Sequence, residues 1–192
     1  MGKPHDEIDD DLRAFIQTQR MFFVATAPLD ADGHVNLSPK GLDTVRILGP
    51  RQVAYLDYVG SGGETIAHLR ENGRIVLMWC ALEAAPKIVR LHGRGEVLAP
   101  HDTDYQRLRP LFPETPVGGR TIIVVTVHRI ATSCGFGVPL YRFERDRAQL
   151  PEWADRKGAE GLREYQRAKN ATSIDGLPAV TWLDGAERKP SG

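Results

Sequence analysis

Three short stretches carry residue types that could hold a small ligand. The first is Gly60-Ser61-Gly62-Gly63, followed by Glu64-Thr65 at the start of a helical pattern. Glycine has no Cβ, so backbone N–H groups at Ser61, Gly62 and Gly63 can converge on one point. The unpaired donors of the helix that follows aim at the same point, and this is the chemistry of a phosphate cradle. Ser61 and Thr65 add hydroxyls; the alternative is a plain strand-to-helix turn capped by one of them. The second is Asn36-Leu37-Ser38-Pro39-Lys40-Gly41. On a strand Asn36 and Ser38 share a face, with Lys40 in register if extended geometry survives Pro39. Such a row could offer donors to a polar heteroaromatic ring and an ammonium to its phosphate arm; the alternative is a solvated outer face. The third is Cys134-Gly135-Phe136-Gly137-Val138-Pro139, where two glycines beside an aromatic allow close approach to a flat ligand or a partner chain, or simply form a loop. Arg90 projects from a patterned strand toward either a ligand, a subunit seam or a surface ion pair.

Several chemistries are disfavoured by spacing. The histidines stand at 5, 34, 68, 92, 101 and 128, and no pair is two or four residues apart, which leaves a zinc hydrolase without its usual ligand pair. Val59 stands where G-x-S-x-G needs its first glycine, so no nucleophile elbow forms at Ser61. Thr65 breaks the dinucleotide fingerprint, and no GK[ST] follows.

The positioning elements follow from periodicity and turn residues. A first amphipathic helix is predicted from Ile8, Leu12, Phe15, Ile16 and Gln19 behind the acidic Asp6-Glu7. Met21 to Ala27 and His34 to Ser38 form a hairpin around Asp30 to Gly33, with Pro39-Lys40-Gly41 expected to break its ladder. Val45 to Leu48 and Gln52 to Tyr58 pair around Gly49-Pro50. The glycine loop leads to a short helix stopped by Asn72-Gly73. Arg74 to Leu82 is an apolar strand, and Ile88 to Val97 has the cleanest period of two. A helix runs from His101-Asp102-Thr103-Asp104 to Leu111, and Thr121 to Val127 reads as a strand buried on both sides. Residues 150 to 170 form one or two helices, and the tail from Ala186 is polar and frayed. Six or seven strands with few helices give an α+β fold on a small antiparallel sheet or barrel.

Composition sets the outer bounds. The 192 residues are 41% hydrophobic, 26% charged and 7% aromatic, the make-up of one globular domain. Twenty-five Lys+Arg against twenty-five Asp+Glu leave no net charge for gripping a polyanion, so nucleic acid is not an expected partner. Two cysteines without CxxC spacing suit a reducing compartment, with Cys80 read as a small buried hydrophobe. Met1 to Asp11 has no signal-peptide pattern and no apolar stretch approaches eighteen residues, so no membrane is expected and cytoplasm is.

The order of these segments resembles the pyridoxamine 5′-phosphate oxidase-like superfamily of flavin-binding split β-barrels. The resemblance is carried by Val35 to Lys40, by Tyr55-Leu56-Asp57-Tyr58 before the glycine loop, by Leu69-Arg70-Glu71-Asn72-Gly73-Arg74, which is similar to L-x-x-N-P-R-V, and by Lys87 to Val97, similar to V-R-x-x-G-x-A/G-E. It covers roughly residues 10 to 140. It implies an antiparallel split barrel with flanking helices, residues 1–148 as an FMN-binding part and 149–192 as a helical extension and polar tail of the same domain. It further implies a homodimer with FMN at the subunit interface and flavin-dependent oxidoreductase chemistry on a small molecule. Lys40 and Ser61, Gly62, Gly63 and Thr65 would hold the phosphate, Asn36 and Ser38 would line the ring, and Arg90 and Phe136 would come from the partner. Deazaflavin F420 and heme are the alternative cofactors on this barrel, and a non-catalytic flavin- or heme-binding protein is the alternative role. The family's loop often carries S-R-K where Gly62-Gly63 stand here, and Gly137 replaces the arginine of a G-Y-R-V-x-P-like segment, so vitamin B6 oxidation is not expected.

Overall fold

The computed structural model describes residues 3–113 and 118–184, and the tail from Ala186 lies outside them. Strand β1 (Lys3–His5) leads to helix α1 (Asp10–Thr18), whose cap is Asp9 rather than the earlier Asp6-Glu7: its Oδ1 accepts from the Leu12 N–H at 2.8 Å. Asp10 and Asp11 complement the helix dipole, and Leu12 and Ile16 turn inward.

Strands β2 (Phe22–Thr26), β3 (Asn36–Lys40), β4 (Val45–Gly49) and β5 (Gln52–Tyr58) precede helix α2 (Glu64–Asn72). Strands β6 (Arg74–Cys80) and β7 (Ile88–Leu98), helix α3 (Thr103–Leu108), strand β8 (Gly119–Ser133) and helix α4 (Gln149–Lys169) complete the described order, apart from single 3₁₀ turns after α3 and at Trp182–Asp184. Together they form an antiparallel sheet in the order β3-β2-β6-β7-β8-β5-β4, with β1 added beside β8. This is an α+β fold on an open, split antiparallel barrel. No helix among the described residues is long and apolar enough to cross a membrane.

Among the described residues there are eight strands, beside the expected six or seven, because Lys3–His5 pairs with Ile130 to Thr132. That pairing, with β7 on the other side, carries β8 six residues beyond Val127 through a more polar stretch in which the continuous β-branched run is broken. A second correction concerns Pro39, which does not break the ladder but pairs with Phe23, while Lys40 pairs with Phe22. β3 is an edge of the sheet, where a residue without an N–H forfeits no obligatory bond. The alternation survives: Asn36, Ser38 and Lys40 are half-buried, Leu37 and Pro39 exposed.

The main core gathers α1 and the inner face of the strands around Trp79, Tyr55 and Phe22. Phe22 stacks on Trp79 at 5.5 Å and meets Tyr55 edge-on at 5.6 Å. A second cluster seats α3 on Leu56 and Ile122. Helix α4 bends at Gly158 (φ 66°), which resolves the one-or-two-helix reading as a kinked pair, and packs Ala154 and Leu162 on Val59. Residues 170–183 then return as a strap across α2, burying Ala179 and Val180 on Ile66 and Ala67.

Candidate functional site

Residues directly opposite one another on antiparallel strands share a face. Asn36, Ser38 and Lys40 face Thr26, Val24 and Phe22, so the β3 row lies on the inner, core side of the sheet. Helix α2 packs on that side, and the row meets it directly: Asn36 Nδ2 donates to Thr65 Oγ1 at 3.0 Å and to Thr26 Oγ1 at 3.1 Å. Ser38 Oγ donates to Asn36 Oδ1 at 2.9 Å.

The row ends in a buried ion cluster. Lys40 Nζ donates to Asp57 Oδ1 at 2.7 Å, and Arg120 donates to Asp57 Oδ2 from Nε at 3.0 Å and from Nη2 at 2.6 Å. Asp57 is fully buried and the Arg120 side chain is 4% exposed. Strands β3 and β5 are far apart along the sheet order, so the Lys40 contact closes the curl of the barrel. Burial on its own would push the Asp57 carboxyl up, but the charges of Arg120 and Lys40 outweigh it and hold its pKa at about 2. A carboxyl depressed in the folded chain contributes stability above the ordinary carboxylate range and loses it as pH falls through the folded value. The expected result in urea unfolding is a loss of about 2 kcal/mol between about pH 4 and pH 2, absent when Asp57 is replaced by Asn.

Arg120 also ties this cluster to the glycine loop, its Nη1 donating to the Gly62 carbonyl at 2.8 Å across 58 residues of sequence. The basic group missing from the loop itself therefore arrives from β8. Gly63 caps α2 without any side-chain hydrogen bond, which leaves first-turn N–H donors unclaimed by a capping side chain. A Cβ on Gly63 would stand 2.8 Å from Ala179 Cβ and 3.1 Å from the Asn170 carbonyl, so the strap demands glycine here. A Cβ on Gly62 would collide with the Glu64 carboxylate. That carboxylate accepts from the Ile174 N–H at 3.3 Å on the strap side. Ser61 is exposed and Thr65 buried. Asn170 donates from Nδ2 to the Gly60 carbonyl at 3.0 Å, while its buried Oδ1 has no partner.

Two hydrogen-bonded groups thus meet at the start of α2: Ser38, Asn36, Thr26 and Thr65 form one, and Lys40, Asp57, Arg120 and the Gly62 carbonyl form the other, with Ser61 and Gly63 beside them in the chain. Arg90 and Phe136 are part of neither. Arg90 pairs with Met78, Met78 with Phe23 and Phe23 with Pro39, a row on the opposite, outer face. Arg90 Nη1 donates to Ser133 Oγ at 3.0 Å. Phe136 is 80% exposed on an irregular stretch, where Gly135 (φ 68°) passes 3.2 Å from the Lys87 nitrogen, measured from an added Cβ: its freedom serves the chain's own loop. Further along, Tyr141 and Phe143 border a groove of about 1010 Å³ with the end of α1 and the β6–β7 loop. Cys80 lines it half-buried, and burial pushes its thiol pKa up against the pull of Arg90, which agrees with a packing role more than a reactive one.

Asp57, Arg120 and Asn170 were not singled out by motif. The first two did carry a signal: each is a charged residue inside or beside an apolar run, and such a charge needs a partner when buried. Nothing local marks Asn170.

A family model described as pyridoxamine 5′-phosphate oxidase matches residues 8–134. A curated relative, the pyridoxamine 5′-phosphate oxidase family protein ustO of Aspergillus flavus, is 38% identical over 92% of this chain and 77% of its own. Among solved structures, a single-residue variant of HupZ from Group A Streptococcus superposes with a TM-score of 0.52 at 21% identity, covering 66% of this chain and 99% of that one. A protein of Lactobacillus delbrueckii gives 0.51 at 16% identity, covering 68% and 98%. At these identities the likeness is one of fold.

Proposed function

Because the chain belongs to the pyridoxamine 5′-phosphate oxidase family, we propose that it binds flavin mononucleotide (FMN) and acts as a flavin-dependent oxidoreductase on a small molecule. The observation that carries this reading is the α2 N terminus left without a side-chain cap at Gly63, beside a buried cluster in which two cations face one carboxylate. Positive charge, first-turn N–H groups without a side-chain cap and a loop with three glycines fit a phosphate monoester. Lys40 and the segment Ser61 to Thr65 hold the phosphate, with Arg120 orienting the loop through the Gly62 carbonyl. Asn36 and Ser38 face the ring. Bound flavin supplies hydride transfer at its N5 atom. The chain's own residues bind, orient and shield: the inner-face row fixes the ring edge, and the strap closes one flank of the loop.

In this reading the protein is a homodimer and each site is shared. Arg90 lies on the opposite sheet face from Asn36, Ser38 and Lys40, so one chain cannot bring them together. A second copy can, and the exposed Phe136, Leu140 and Tyr141 suit a buried seam better than solvent. The test is size-exclusion chromatography of FMN-loaded protein with visible detection. Flavin absorbance is expected to travel with a dimer, and dilution is expected to release flavin and monomer together. A protein that takes up no FMN overturns the flavin assignment, and a monomer that keeps its full flavin overturns the shared site.

A further inference from the structure

Ser38 and Asn36 look, by residue type, like a row of donors. Their hydrogens are already spent. The Ser38 hydroxyl donates to Asn36 Oδ1 at 2.9 Å, and Asn36 Nδ2 uses both hydrogens, on Thr26 at 3.1 Å and Thr65 at 3.0 Å. Thr26 Oγ1, accepting from Asn36, lies 2.9 Å from Nδ1 of His68. His68 is completely buried one turn into α2, and its Nε2 has no partner. Burial lowers its pKa against the raising influence of Asp175, Glu64 and Glu71, so the imidazole is neutral and can take the Thr26 hydrogen at Nδ1. The chain of hydrogen bonds runs inward from Ser38 to Asn36 and on to Thr26, and it continues to His68 when the imidazole carries its hydrogen on Nε2 and leaves Nδ1 to accept. At its outer end only lone pairs remain.

Resting on the flavin reading above, we propose that Ser38 is the acceptor for the flavin ring N–H, and that His68, carrying its hydrogen on Nε2 and acting through Thr26 and Asn36, is the positioning residue that fixes this polarity. An oxidised isoalloxazine has a single ring N–H, at N3, and its other polar edge atoms are acceptors that would meet the Ser38 lone pairs unfavourably. The row therefore selects the imide edge of the ring. Were the chain reversed, Ser38 would present a hydrogen and would favour the ring's acceptor atoms instead. The local residue types are the same in both cases; His68 at the buried end decides between them.

The probes are FMN and its N3-methyl derivative, titrated by flavin fluorescence into the full-length protein. The native protein is expected to bind the methylated form about tenfold more weakly, the scale of one neutral hydrogen bond. In Ser38→Ala the two affinities are expected to converge to within about twofold. His68→Asn keeps an amide acceptor for Thr26 and is expected to retain the native ratio, while His68→Leu loses it; a purely structural role for His68 would change both affinities together and leave their ratio alone. Circular dichroism reports whether each variant folds; Ser38→Ala tests the acceptor, and should His68→Leu not fold, a native ratio lost in His68→Asn overturns the positioning role. Equal binding of both flavins by the native protein overturns the proposal, as does a tenfold ratio that persists in Ser38→Ala. Failure to bind either flavin is a different result: it removes the flavin reading and this proposal with it.

Discussion

Asp57→Ala is expected to cost about 3–5 kcal/mol of folding stability, read as a lower urea midpoint at unchanged slope. The carboxylate is fully buried and accepts from Lys40 once and from Arg120 twice, so its removal leaves two cations facing each other without a counter-charge. Arg120 suffers most, because its side chain is almost wholly enclosed and cannot turn to water. For a chain of this length each kcal/mol moves the thermal midpoint by roughly 2–4 °C, so a drop of about 6–20 °C should accompany it. A stability change under about 1 kcal/mol would mean that the cluster is not the closure of the barrel. Because Arg120 also holds the Gly62 carbonyl at 2.8 Å, the same substitution should loosen the glycine loop.

The second large effect falls on binding. Lys40→Ala is expected to weaken FMN affinity by about 1.5–3 kcal/mol, the range of a hydrogen bond to a charged group, or roughly tenfold to 150-fold. Its stability cost should be smaller than that of Asp57→Ala: the lysine side chain is 22% exposed, and Asp57 keeps both bonds from Arg120. That split between the two variants separates a ligand-facing cation from a structural one. Lys40→Arg should recover part of the affinity by restoring charge, though a planar guanidinium does not reproduce the ammonium geometry. FMN titration of Lys40→Ala with unchanged affinity would remove this residue from the phosphate site.

The local pattern of the chain was enough for most elements. Period two in Ile88 to Val97, the Asn72-Gly73 stop and the kinked Glu/Arg/Lys-rich helix after residue 149 are all short-range signals, and each element stands where those signals put it. Pro39 misled because proline's missing donor matters only inside a sheet, and whether a strand lies at an edge is a property of the whole topology. The three-residue β1 was invisible for the same reason: Lys3–His5 has no strand pattern and exists through pairing with β8.

The candidate site divides along the same line. Alternation along β3 already put Asn36, Ser38 and Lys40 on one face, and the glycines already marked a loop opening a helix, because strand and turn geometry repeat over a few residues. Which face that was, and what stood on it, needed the fold. Asp57 and Arg120 are 63 residues apart, and His68 lies 42 residues from Thr26; only sheet closure and the packing of α2 bring each pair within hydrogen-bond reach. Residue type alone made Asn36 and Ser38 donors, whereas the partners that consume their hydrogens turn the row into acceptors. The sequence by itself determined most of the elements, the family and the row of polar groups, since these rest on short-range covalent geometry and hydrophobic period. The charge balance, the polarity of the row and the separation of Arg90 from it were decided by tertiary structure, since each depends on contacts between residues distant in the chain.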